Sequence, residues 1–232
     1  MEDQPKREII TTADGSKTIQ FPELREQYHS VHGAINEANH VFIKNGFHFL
    51  QKKFHIKGPV KVLEMGFGTG LNAFLTLLES KKNKINVDYV GVEAYPITIS
   101  EMNQLNYANL INPNEQAIFE KMHKIPWEQL VTMTSDFELQ KRKQFFNQIE
   151  DRKIFDLIYF DAFGARVQPE SWTVAIFSRM FKAMNDQGVL VTYSAKGSVR
   201  RAMLEVGFEV ERLPGPPGKR EMLRAVKNIE DS

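Results

Sequence analysis

Three acids and a run of alternate glycines are the residues of this 232-residue chain whose types and spacing could do chemistry. In "LEMGFGTGLNAF", Glu64 stands just before Gly66, Gly68 and Gly70. Glycines in such a loop tolerate positive φ and let the backbone approach a ligand closely. A second acid, Glu93, ends the apolar run "VGVE", and a third, Asp161, ends the strongest apolar run, "FDLIYF". The loop is not a dinucleotide fingerprint, because G-x-G-x-x-G requires glycine where Leu71 stands. It is not a phosphate-binding P-loop either, since Gly70 is followed by Leu71 and Asn72 and no lysine is at hand.

These residues need a scaffold that brings strand ends together. From Gly58 onward the pattern alternates short apolar runs with helical spacing: "PVKVLEM", then "LNAFLTLLESKKN", then "VDYVGVEA", then "PITISEMNQLNYA". The alternation continues through "FELQKRK", "FDLIYFDAF", "SWTVAIFSRMFKAMND", "GVLVTYSA", "SVRRAMLEVG", "FEVERLP" and "REMLRAVK". Strands alternating with helices predict an α/β fold with a mostly parallel sheet covered on both faces. The expected architecture is Rossmann-like: a seven-stranded sheet whose last two strands form an antiparallel hairpin around "GPPG". Residues 1–57 read as a small N-terminal cap, with a hairpin around "DGS" and then helices, and residues 58–232 as the main domain. In open sheets of this kind ligands lie beyond the carboxyl ends of the strands, at the switch in strand order. The glycine loop, Glu93 and Asp161 all fall at such ends.

An acid before G-x-G-x-G, with a second acid ending the next strand, is the pattern of S-adenosylmethionine-dependent methyltransferases of the Rossmann-like class. On that reading Glu64, Gly66, Phe67, Gly68, Thr69, Gly70, Asn72 and Glu93 form the cofactor set. Glu64 is expected near the methionine ammonium and Glu93 at the ribose hydroxyls. Glu93 alone does not discriminate, because NAD enzymes use the same contact. Asp161 is the expected catalytic acid, with Phe163 and Trp172 as aromatic walls and Pro169 stiffening the loop. Methyl transfer from a sulfonium needs an acceptor lone pair held in line and water kept out, and no metal. The two rings are expected to exclude water.

Composition narrows the rest. With no cysteine there is no disulfide scaffold and no zinc-thiolate site. The six histidines include His29 and His32 at a helical spacing, but no third ligand accompanies them, and no metal site is expected. No apolar run approaches the ~20 residues of a membrane span. The start "MEDQPKREII" lacks the apolar core of a signal peptide, so a cytoplasmic location is expected. The formal net charge is +1, yet Ser194–Lys227 holds eight basic against four acidic residues, a local net +4. This predicts a local basic surface. Oligomeric state is not legible.

Several strings together resemble one family, the MnmD-type methyltransferases that complete 5-methylaminomethyl-uridine at the wobble position of tRNA. They are "TADGSKT", "YHSVHGAINEANHVFI", "LEMGFGTGLNAF", "FDLIYFDAFGARVQPESW", "TYSAKGSVRRAMLEVGF" and "GPPGKREMLRA", spanning nearly the whole chain. The resemblance implies a tRNA anticodon loop bearing 5-aminomethyl-(2-thio)uridine as substrate and S-adenosyl-L-methionine as methyl donor. It assigns catalysis to the acid opening D-A-F, Asp161, which is then expected to orient the substrate amine and accept its proton. A tRNA substrate makes Lys196, Arg200, Arg201, Lys219 and Arg220 of the basic stretch the candidates for holding its backbone. Tyr28 and Ser30 of the cap are expected over the cofactor or against the anticodon loop. The 232 residues leave no room for the flavin-dependent oxidase half of the bifunctional relatives, so methylation alone is expected. Two departures stand out. Relatives place an acid for the adenine amino group soon after the strand matching "FELQKRK", whereas Gln144, Phe145 and Phe146 follow here. Relatives also carry Ala-Pro after D-A-F, where this chain has Gly164 and Ala165. Methylation of a small-molecule amine, or cofactor binding without catalysis, are the competing readings.

Overall fold

The computed structural model describes residues 5–54 and 56–229. The chain opens with a three-stranded antiparallel sheet: β1 (Glu8–Thr11), β2 (Lys17–Phe21) and β3 (Glu26–Gln27). The β1–β2 hairpin turns at "DGS", as expected, with Gly15 at φ 81°. A helical stretch follows, in which α1 (Ala34–Ala38) runs through a π-helical segment (Asn39–Phe47) into α2 (His48–Lys53). Gly46 explains how closely this stretch lies on the sheet. A Cβ there would stand 2.9 Å from Val191 and 3.2 Å from Tyr159.

The large sheet has eight strands in the order β10-β11-β9-β8-β4-β5-β7-β6. Five of them run parallel at its centre: β9 (Met184–Thr192), β8 (Phe155–Phe160), β4 (Val60–Met65), β5 (Val87–Val92) and β7 (Phe137–Arg142). β10 (Glu209–Pro214) and β11 (Glu221–Val226) form the expected antiparallel hairpin at one edge. The eighth strand, β6 (Leu130–Thr134), pairs antiparallel with β7 at the other edge and corrects the expected count of seven. Only Met133 of β6 is buried, so no apolar alternation marks it in the sequence.

β8 is buried at every position because both its faces are covered. Leu157 and Tyr159 join the core under the π-helical segment and α3 (Leu71–Asn83), while Ile158 and Phe160 join the core under α7 (Val174–Ala183) and α8 (Gly197–Glu205). The stretch expected as one helix around "SEMNQLNYA" is two short ones, α4 (Ile99–Met102) and α5 (Tyr107–Ile111). A third, α6 (Gln116–Lys124), precedes β6. The helix expected to run on toward Gly188 ends at Ala183, and Met184 already belongs to β9. Strand order reverses at β4: the chain steps outward to β5 and β7, then returns to place β8 on the other side. Among the described residues no helix is long and apolar enough to cross a membrane.

Candidate active site

The reversal at β4 opens a crevice between the ends of β4 and β8, where such folds bind ligands. The glycine loop leaves β4 and is held down by Val92, whose carbonyl accepts from the N–H groups of Gly66 (3.0 Å) and Phe67 (2.9 Å). Gly66, Gly68 and Gly70 all have positive φ, at 96°, 49° and 73°. At Gly66 a side chain is also excluded by space, because a Cβ would lie 2.6 Å from the Asp161 carbonyl oxygen. The Asp161 N–H donates to Met65 O at 2.9 Å, so the parallel ladder itself sets the catalytic candidate beside the loop.

A cavity of about 800 Å³ fills the crevice. Gly66, Gly68, Glu93 and Asp161 line its floor, with Tyr28 and Phe163 on the wall. Phe21, Tyr28 and Phe163 pack mutually with centroids 5.0–5.6 Å apart, so the N-terminal sheet roofs the glycine loop. Arg7 shuts one end. It donates to Tyr95 O (3.0 Å) and Pro96 O (3.4 Å), pairs with Glu101 (3.3 Å) and lies over the Phe21 ring. Arg166 ties the roof to the D-A-F loop by donating to Leu24 O and Arg25 O, both at 2.8 Å. Tyr95, Phe145, Phe146 and Asn147 form a further wall near the end of β7.

One hydrogen-bonded chain stands beneath the floor. Asn72, in the first turn of α3, donates from Nδ2 to both Asp161 Oδ2 and Glu64 Oε1, each at 2.9 Å. Tyr89 donates its hydroxyl to Glu64 Oε2 at 2.8 Å. Glu64 is fully buried, and that burial holds its carboxyl well above the usual range. Burial foremost, with the Glu37 charge second, pushes Asp161 up to about 7; the Asn72 bond and Lys219 pull the other way. Glu93 accepts from the N–H groups of Tyr95 (2.9 Å) and Gly68 (3.1 Å), while burial raises its pKa.

A family of proteins described as S-adenosyl-L-methionine-dependent methyltransferases matches residues 114–228, about half of the chain. The crystal structure of MNMC2 from Aquifex aeolicus superposes with a TM-score of 0.77 at 25% identity, covering 99% of this chain and 74% of that one. The chain is an S-adenosylmethionine-dependent methyltransferase. Among curated relatives, the tRNA 5-methylaminomethyl-2-thiouridine biosynthesis bifunctional protein MnmC of Paraburkholderia xenovorans is 27% identical over 87% of this chain. The protein of that name from Pseudomonas aeruginosa is 28% identical over 84%. The matches cover 32% and 31% of those relatives, so this methyltransferase spans about a third of their length.

The residues present fit the cofactor. Gly66 and Gly68 leave the floor free of side chains, and Glu93 offers a carboxylate to a diol. Tyr95, Phe145 and Phe146 provide an apolar slot for a purine. Asn72 Oδ1 is buried with no donor among the described residues, but Asn72 lies beneath the cavity and not in its lining. For the adenine amino group the candidate is Asn147, which lines the cavity, and not Gln144, which does not.

Other expected site residues lie elsewhere. Glu64 does not reach the cavity; its oxygens are taken by Tyr89 and Asn72, so it braces Asn72. Phe67 turns its ring away from the crevice, under Gly91 and toward His123 and Trp127. Thr69 is buried against His29 Nε2 (2.7 Å), and Gly70 begins α3 above His123. Ser30 is buried, its N–H donated to Glu37 at 2.8 Å. Trp172 is no wall: its ring packs with Phe160, Phe177 and Tyr193, and Nε1 donates to Phe163 O at 2.8 Å. It steadies the D-A-F loop from behind. Lys196, Arg201 and Arg220 are exposed and Arg200 is half-buried, all outside the cavity lining. Lys219 turns inward to Glu37.

Sequence reasoning missed Arg7, Phe21, Tyr95 and Asn147. The adjacent aromatics Phe145 and Phe146 following β7 were the one legible sign of a purine slot.

Proposed function

We propose that this methyltransferase converts 5-aminomethyl-(2-thio)uridine at the tRNA wobble position to its 5-methylaminomethyl form. The observation that carries the reading is Asp161, a carboxyl at the cavity floor between the glycine loop and the rings of Tyr28 and Phe163. The names of the relatives support the same nucleoside.

The chemistry follows from the surroundings. An alkyl amine has a pKa of about 10.4 in water and arrives protonated. An ordinary aspartate would be a poor acceptor for that proton, but burial lifts Asp161 to about 7. The same apolar walls disfavour the ammonium, so burial narrows the gap from both sides. Asp161 then orients the amine and takes its proton, leaving the nitrogen lone pair free. Bound S-adenosylmethionine supplies a methyl group on a sulfonium. Phe21, Tyr28 and Phe163 keep water from the reacting nitrogen, and alignment in a closed cavity supplies most of the acceleration. The unpaired base is expected to stack on an aromatic at the cavity mouth, as single-stranded RNA bases do. Lys196, Arg201 and Arg220 are the proposed phosphate contacts, in a cytoplasmic setting.

The test is incubation with S-adenosylmethionine and tRNA carrying the aminomethyl nucleoside, followed by nucleoside mass spectrometry. The methylaminomethyl product is expected from the tRNA and not from the free nucleoside. Transfer to the free nucleoside alone would establish a small-molecule enzyme. Cofactor binding without transfer to either would overturn the proposal.

A further inference from the structure

Lys219 sits on the turn between β10 and β11, where a lysine beside Pro and Gly reads as a solvent-facing cation. The structure turns it inward. Its ammonium pairs with Glu37 of α1 and lies 3.8 Å from the centroid of the Tyr193 ring. The Glu37 side chain is only 7% exposed, and its other oxygen accepts the Ser30 N–H at 2.8 Å. The Tyr193 hydroxyl donates to the carbonyl of Ala162, the residue after Asp161, at 2.8 Å. A continuous path of contacts therefore joins the turn to the catalytic loop.

The turn is built to hold that lysine. Gly215 N donates to Arg220 O (3.0 Å) and Lys219 N to Pro216 O (2.9 Å). His40 Nε2 is 2.8 Å from Pro214 O. Gly218 has φ 82°, and a Cβ there would overlap the His32 ring, so the turn lies directly against the N-terminal segment. Such an effort to place one cation is not needed for a loose phosphate contact, which any exposed lysine can make.

We propose that Lys219 and Glu37 form a charge pair that positions the Asp161 loop and balances the charge around Asp161, making both positioning residues of the methyl transfer. The inference rests on the reading of Asp161 as the acid that meets the amine. The groups coupled to Asp161 are Glu64 of β4, Asn72 of α3, Tyr89 of β5, Tyr193 just after β9, and the pair itself, while Tyr28, His29 and Glu93 line the same cavity. Among these coupled groups Lys219 is the cation. Removing it leaves Glu37 unpaired and repulsive toward an ionised Asp161. Removing the Glu37 charge does the opposite. Glu37 is buried and Lys219 half-buried, so losing the lysine leaves a buried charge without its partner.

The experiment compares Lys219→Met, Glu37→Gln, the double variant and Lys219→Arg. Gln at 37 keeps the acceptor for Ser30, and Met at 219 keeps the stem over Tyr193. The first readout is the ¹³C-carboxyl titration of Asp161, assigned by its disappearance in Asp161→Asn. The second is the acidic limb of kcat/KM for the RNA. Lys219→Met should move both upward and Glu37→Gln both downward, by roughly half a pH unit to one unit each. The double variant should fall between them, and Lys219→Arg should titrate as wild type. The salt dependence of RNA binding should not change in Lys219→Met. Shifts in one shared direction, no shifts, or a reduced salt slope with an unmoved titration would overturn the proposal. The carboxyl titration stands whatever the substrate, so a wild-type enzyme inactive on tRNA would sink the proposed function without deciding this pair.

Discussion

Asn72 is one amide shared between two buried acids, and Asn72→Ala tests that arrangement most directly. Its side chain is 1% exposed and donates to Asp161 and Glu64 at 2.9 Å each. The bond to Glu64, whose burial holds its carboxyl well above the usual range, is worth about 1 kcal/mol. The bond to Asp161 strengthens on ionisation to about 1.5–3 kcal/mol. The sign follows from linkage. Because the folded pKa of Asp161 is raised to about 7, its contribution to stability is present below the unfolded carboxylate range and is lost as pH climbs through about 7. Asn72 limits that loss by favouring the ionised form, so its removal raises the folded pKa further. Asn72→Ala should therefore cost about 2–4 kcal/mol near pH 8 but only about 1–2 kcal/mol near pH 5.5. Urea unfolding followed by the fluorescence of Trp127 and Trp172, at both pH values, measures the difference. A loss below about 1 kcal/mol near pH 8, or one that does not vary with pH, would refute the shared-amide account.

Three further outcomes are expected. Asp161→Asn should abolish most turnover while raising stability near pH 8, on the order of 1–3 kcal/mol, and changing it little below about pH 4; calorimetry and a single-turnover assay read the two effects, and full activity would make Asp161 structural. Gly66→Ala should destabilise by roughly 1–3 kcal/mol and cripple transfer, since strain at φ 96° comes with a clash against the Asp161 carbonyl. Gly15→Ala, equally left-handed at φ 81° but with nothing within 4 Å, should destabilise while leaving turnover intact, and equal activity losses in both would show that the clash is irrelevant. The triple variant Lys196→Ala, Arg201→Ala, Arg220→Ala should leave cofactor affinity unchanged and lower the salt slope of tRNA binding by about 0.7 for each phosphate no longer neutralised; an unchanged slope would move the RNA path to the Arg7 side of the cavity.

What the sequence made legible was the part of the site set by neighbours along the chain. The glycine loop, Glu93 and Asp161 follow directly from apolar strands, so reading β4, β5 and β8 was enough to place them at one sheet edge. The fold class came from the same alternation. β6 escaped because its pairing with β7, rather than burial, makes it a strand. Phe67 and Trp172 show where side-chain direction defeats spacing. Both lie in the motifs that carry the site, yet Phe67 fills the space over Gly91, and the Trp172 indole must find an acceptor, which Phe163 O provides. Lys219 shows the same limit for charge. Its partner Glu37 lies on α1 in the N-terminal third of the chain, and no local pattern distinguishes an inward lysine on a Pro/Gly turn from an exposed one. The roof has the same character: Arg7, Phe21 and Tyr28 reach the cavity only because the N-terminal sheet folds back over the glycine loop. The chemistry-bearing acid is thus encoded locally, while the groups that set its protonation and exclude water arrive from both ends of the chain. For that reason variants at Glu37 and Lys219 are a sharper probe of the mechanism than variants in the glycine loop, which would disturb cofactor, backbone and catalyst together.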